Sequence, residues 1–204
     1  YKQFRYCVVI LAGAVFLFLG LELLMPMYTQ QVLMLTGTAT GLILMPASIA
    51  QAVAAPLFGK LLDKKGGRFV VLPATVMLTV SLAVLWLFLR IDTQVMMLTA
   101  MFTLMAVSVS ACVTGETHGL NALPKKLNPH GAAILTTINP IAGAIGAAFF
   151  VGATSIGEKL SSAASPQQAM LDGIHLAMGS ALVLGAVMVF FAMRLKRHEA
   201  DKQV

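Results

Sequence analysis

The chain has 204 residues, of which 58% are hydrophobic and only 11% charged, and its mean hydropathy is +0.87. Soluble domains carry about 25% charged residues, so a water-covered globular domain is excluded and an all-α membrane protein is expected. The formal net charge of +6 calls for no nucleic acid, because the basic residues sort between apolar runs in a way that anionic lipid explains.

Six transmembrane helices are expected, each long enough for the about 20 helical residues that cross a ~30 Å hydrocarbon core. A strand barrel would instead show alternating segments of ~10 residues. The first helix covers about 6–28 and is apolar except for Glu22. It is too long for a cleavable signal peptide and lacks a small-residue cleavage pattern. The chain opens with Tyr1 rather than Met, which suits a piece of a longer protein. Glu22 falls ~25 Å along the helix from Tyr6. A carboxyl inside a span is a candidate proton carrier, although an acid near an interface also serves as an ordinary snorkelling residue.

The second helix, 37–61, contains Pro46, followed by Ser48 and Gln51. Proline leaves a helical carbonyl without its usual partner, so these three are a candidate hinge or cavity lining. Next comes "GKLLDKKGGR", Gly59–Arg68, a charged turn between two oily spans. Gly59 is expected to allow close backbone approach, and Gly66 and Gly67 to supply positive φ. Asp63 stands at the carbonyl end of its helix, where an anion is disfavoured, so a partner is expected for it. Read bottom-up, the stretch is either a generic basic loop or a dedicated element.

The third helix, 69–89, is mostly Val, Leu, Ala, Phe and Met. The fourth, 93–117, carries Thr99, Thr103, Ser108, Ser110 and Thr114, and Glu116 near its end is a second candidate proton carrier. Met97, Met101 and Met105 recur at i, i+4, i+8 and fit lipid-facing or core positions. The fifth helix, 131–157, contains Asn139-Pro140 and a stripe of small residues, Ala142, Gly143, Gly146 and Ala147. Such small-xxx-small spacing lets a neighbouring helix approach closely. The sixth, 172–194, carries His175, and a charged tail follows over 195–204. Cys7 and Cys112 both lie within spans and read as small core residues. The four histidines have no metal-ligand spacing, so no metal and no cofactor are expected.

Every Lys and Arg except Arg90 and Lys159 falls on one side if the N-terminus is cytoplasmic. By the positive-inside rule both termini then face the cytoplasm of a multi-pass cell-membrane protein. Pro46 lies nine residues after Gly37 and Pro140 nine after Gly131, entering from opposite faces. Each is ~13–14 Å deep, so the two map onto one another if residues 1–204 form a single bundle of two inverted three-helix repeats.

Gly59, Leu61, Asp63, Lys64, Gly66 and Arg68 resemble the G-x-L-x-D-[RK]-x-G-[RK]-[RK] signature of the major facilitator superfamily, which joins the second and third helices of a six-helix half. The match departs at Gly67, where the family usually has a basic residue. First halves of such transporters typically carry an arginine in the fourth helix and a G-P-x-x-G-G-like run in the fifth; neither is present here. "GLNALPKKLNPHGAAILTTINPIAGAIGAAFF", Gly119–Phe150, is similar to the last third of fourteen-helix drug–proton antiporters of the multidrug and lincomycin-resistance type. Asn139-Pro140 replaces the polar pair usual in that helix.

The resemblance implies the C-terminal half-bundle of a secondary transporter, exporting small amphipathic or cationic compounds against proton entry. It implies that the second and fifth helices face a missing N-terminal half, the first and fourth line a central cavity, and the third and sixth lie outside. The small residues of the fifth helix are then expected at the contact with that partner. An intramembrane enzyme is the rival class, but neither G-x-S-x-G nor H-E-x-x-H occurs, and a G-x-x-x-x-G-K-[ST] phosphate loop is missing too. A six-helix protein acting as a dimer, or carrying another substrate class, remains the alternative.

Overall fold

The computed structural model describes residues 2–195. It holds six long helices: α1 (Lys2–Met27), α2 (Gly37–Lys65), α3 (Gly67–Phe88), α4 (Val95–Asn121), α5 (Asn128–Leu160) and α6 (Pro166–Met193). A π-helical turn over Tyr28–Val32 extends α1, and a 3-10 turn over Lys125–Leu127 leads into α5. All six are long and apolar enough to cross a membrane, and no strand occurs among the described residues. The expected charged tail lies outside the described residues, apart from the buried Leu195.

Local chemistry explains where the helix ends depart from the expected ones. Gly66 alone breaks α2 from α3. It takes φ 80°, and its N–H closes the last turn of α2 on the Leu62 carbonyl at 2.8 Å. Lys64 and Lys65 stay helical, since cations suit the carbonyl end. Gly67 does not share the positive φ; it is the first residue of α3. Thr93 is held out of α4 because its hydroxyl accepts from the Arg90 N–H at 2.7 Å and donates to the Phe88 carbonyl at 2.9 Å. Thr36 caps α2 and Ser165 caps α6, each hydroxyl accepting a backbone N–H. Pro129 fits the first turn of α5, where its missing N–H costs nothing, so the helix starts before Gly131.

In packing, α1 and α4 touch each other, α5 lies along α1, and α2 lies along α4. α3 packs on α4 and α6, and α6 also reaches α1 and α5. The least buried spans are α2 and α5. Leu17, Leu21 and Leu24 of α1 meet Leu78 and Leu82 of α3, Phe102 and Met105 of α4, and Ile174 and Met178 of α6 in one core. Lipid tails compete for apolar surface, so close van der Waals fit rather than water exclusion holds such helices together. Gly157 and Gly173 illustrate this: a Cβ on Gly157 would stand 2.7 Å from the Gly173 Cα. Polar ties join elements near the α3–α4 turn, where Tyr28 donates to the Arg90 carbonyl and the Thr29 and Thr40 hydroxyls meet at 2.9 Å.

Candidate functional site between α2 and α4

Two open cavities follow the seam between α2 and α4. The first, about 580 Å³, is almost wholly apolar and is lined by Pro46 together with Met96, Thr99, Ala100, Thr103, Leu104 and Val107. The second, about 510 Å³, lies toward the charged turn and is more polar. Gln51, Ala52 and Ala55 face Ser110, Val113, Thr114, Glu116 and Thr117 there. The seam is thus oily at one end and carboxylate-bearing at the other.

The hydroxyls along this seam are partly spent. Thr99 donates to the Val95 carbonyl at 2.9 Å, Thr103 to Thr99 at 2.7 Å, and Thr114 to Ser110 at 2.8 Å. A hydroxyl that back-bonds its own helix keeps only lone pairs for a guest. The wall therefore accepts hydrogen bonds, Gln51 offers an amide donor, and Glu116 is the one titratable group among the lining residues of the two cavities. Acceptor lone pairs, one amide and one carboxylate are thus what the lining offers. Ser108, in contrast, is fully buried, bonds the Leu104 carbonyl at 2.7 Å and lines neither cavity.

The remaining candidates are spread out. Pro46 and Gln51 reach the seam, whereas Ser48 is exposed on α2 and lines neither cavity. Asn139 and Pro140 sit on α5 outside both cavities; the Asn139 Oδ1 is buried with no hydrogen-bond partner among the described residues. Glu22 is exposed on α1, so only Glu116 of the two acids joins the seam.

The small stripe of α5 turns inward. A Cβ on Gly143 would strike Leu19, and one on Gly146 would strike the backbone of Phe16, both on α1. Ala142 and Ala147 are half-buried beside them. The expectation that these glycines serve a contact with a partner half is corrected: their close contact is with α1. The reason is steric, since two backbones at that distance leave no room for a third.

In the charged turn, Leu61 and Arg68 are half-buried, and Asp63 and Lys64 are exposed. Asp63 makes no ion pair or hydrogen bond among the described residues, contrary to the partner expected for it. Gly59 faces open space rather than a neighbouring backbone. Lys65 lies 4.5 Å over the Phe69 ring. Gly67, where the signature has a basic residue, is covered by the imidazole of His118, which a Cβ there would hit.

Sequence reasoning missed Met96, Ala100, Leu104 and Val107. Their spacing of three and four on α4 marks one helix face, but the same spacing of Met97, Met101 and Met105 one residue along marks a neighbouring face, of which Met105 is core.

The family profile of the Major Facilitator Superfamily matches residues 1–147. The lincomycin resistance protein LmrB of Bacillus subtilis (strain 168) is 32% identical over 212 residues, an overlap that covers 98% of this chain and 44% of that protein. LmrB of Listeria monocytogenes is 28% identical over 193 residues, covering 92% of this chain and 41% of its own length. The uncharacterized MFS-type transporter YcnB of Bacillus subtilis is 28% identical over 190 residues, covering 92% and 40%. The chain spans less than half the length of these relatives.

Proposed function

Because this chain belongs to the Major Facilitator Superfamily, we propose that it is the C-terminal six-helix half of a secondary transporter and not an enzyme. In this reading it works with an N-terminal half to export small amphipathic or cationic drugs by alternating access, driven by proton entry. It sits in the cell membrane with both termini cytoplasmic, as the basic residues favour.

The observation that carries the reading is the seam between α2 and α4, which holds an apolar cavity and, nearer the charged turn, a second cavity with Gln51 and Glu116. A drug's apolar body fits the first part and its cationic end the second, and a proton on Glu116 competes with that cation. The drug-resistance names of relatives more than twice as long support the substrate class and the missing half. So do the exposed apolar faces of α2 (Leu42, Ile49, Val53) and α5 (Ile141, Ile145, Phe149), which suit a rocking contact with a second bundle. Exchanging the first three helices for the last three turns the α1–α5 contact into α4–α2, the two most extensive contacts in the bundle, which favours a three-helix repeat, although the α2–α3 and α5–α6 contacts do not match in the same way.

The test is reconstitution in liposomes under an imposed pH gradient. The chain alone should insert without moving a fluorescent cationic dye, and adding the N-terminal half should start transport. Dye movement by the chain alone would replace this reading with a dimer of identical halves.

A further inference from the structure

A third cavity lies apart from the seam, at the end of the bundle away from the described termini, between α6 and the α3–α4 turn. Its volume is about 460 Å³, and Leu87, Arg90, Asp92, Gln168, Leu171 and His175 are among its lining residues. None of its lining residues belongs to the two cavities on α2 and α4.

The rim is held in place through its backbone. Tyr28, fully buried in the π-helical turn, donates to the Arg90 carbonyl, and the Thr93 hydroxyl lies 3.0 Å from the same carbonyl while accepting the Arg90 N–H. Across the cavity the His175 Nε2 lies 3.0 Å from the Leu89 carbonyl, and Trp86 donates its indole N–H to the His175 carbonyl at 3.1 Å. Gln168 donates to Asp172 at 3.0 Å, which leaves its amide oxygen to accept. None of these bonds uses the side chains of Arg90 and Asp92. Both residues are exposed, and neither makes a salt bridge among the described residues. The backbone at Arg90 is thus held, while the guanidinium of Arg90 and the carboxylate of Asp92, both lining this cavity, have no hydrogen-bond or ion-pair partner among the described residues.

Next to the rim the surface is oily. No charge occurs from Phe69 to Leu89 on α3, and Trp86, Leu87 and Phe88 are exposed there, as are Leu176 and Val183 on α6. An exposed indole beside such a face marks the level of the lipid headgroups. A matching ligand needs a phosphate for Arg90, a hydrogen-bonding cation for Asp92 and hydrocarbon for the face beside them.

We propose that this cavity binds the headgroup of a zwitterionic aminophospholipid, its phosphate on Arg90 and its primary ammonium on Asp92, with the acyl chains lying along α3 and α6. A free phosphate would leave the oily face uncovered, and an anionic lipid would leave Asp92 opposed by like charge.

Native mass spectrometry of the purified chain, titrated with dioleoyl phosphatidylethanolamine, phosphatidylcholine or phosphatidylglycerol, tests this. Phosphatidylethanolamine should bind about tenfold more tightly than phosphatidylcholine, whose quaternary ammonium donates no hydrogen bond to Asp92. R90Q should weaken that binding about tenfold, and D92N should abolish the preference between the two lipids. K159Q removes the other basic residue at this end, which does not line the cavity, and should change nothing. Circular dichroism confirms that each variant is folded, and R90Q and D92N test the two contacts separately. Wild-type binding by R90Q, equal losses in R90Q and K159Q, or tighter binding of phosphatidylglycerol than of phosphatidylethanolamine would overturn the proposal.

Discussion

Gly146 of α5 is pressed against the backbone of Phe16 in α1, so closely that even a single methyl group there would collide with the Phe16 carbonyl. Backbone cannot swing aside as a side-chain tip does, so the contact fixes the distance between the two helices. The neighbouring contact is similar but softer, since Phe150 fills the space where Gly20 lacks a side chain.

Gly146→Ala should therefore destabilise the isolated bundle by ~1–3 kcal/mol, the usual range for overpacking. Gly59, inside α2 and facing open space, is the contrasting site. Gly59→Ala should leave stability unchanged or raise it by up to ~1 kcal/mol through helix propensity. Thermal unfolding of both variants in detergent checks this, and equal midpoints would show that the α1–α5 contact yields more easily than its geometry implies.

Topology is tested by labelling. With Cys7 and Cys112, both buried, replaced, single cysteines at the exposed positions Lys65 and Lys126 should react with an impermeant maleimide only from the cytoplasmic side. A cysteine at Ser162, exposed between α5 and α6, should react only from outside. Labelling of position 65 from outside would invert the orientation and place the lipid cavity in the inner leaflet.

Asp63 is exposed and makes no ion pair among the described residues, so Asp63→Asn should change the stability of this chain by less than ~0.5 kcal/mol. In the complete transporter the same change should impair turnover while insertion stays normal. That pair of results would locate its partner in the other half. Destabilisation of the lone chain would place the partner within these six helices, and unimpaired transport would reduce the turn to a topology signal.

The two membrane acids should behave differently in the complete transporter. Glu116 lines the polar cavity beside Gln51, while Glu22 lies outside both cavities. Glu116→Gln should reduce pH-gradient-driven efflux to the level of protein-free liposomes, and Glu22→Gln should retain most of it. The opposite order would move the proton path from the α2–α4 seam to α1.

Much of the architecture was legible in the chain itself. A span must be apolar over a bilayer's thickness, so hydropathy alone located all six helices, although α6 starts at Pro166, six residues before its expected start at 172. The glycine pair at 66 and 67 marked the break, although only Gly66 takes the positive φ, 80°, and the small residues of α5 announced a close helix contact. The partner in that contact could not be read, because a span apolar on every side carries no period that separates its protein-facing side from its lipid-facing side. Only the tertiary structure brought Pro46 to Thr99 and Thr103, joined Gln51 to Glu116, left Asn139 and Pro140 outside both cavities, and gave Gly146 to α1. Those pairings depend on how two helices interlock, a property of both surfaces together that neither stretch of sequence holds alone.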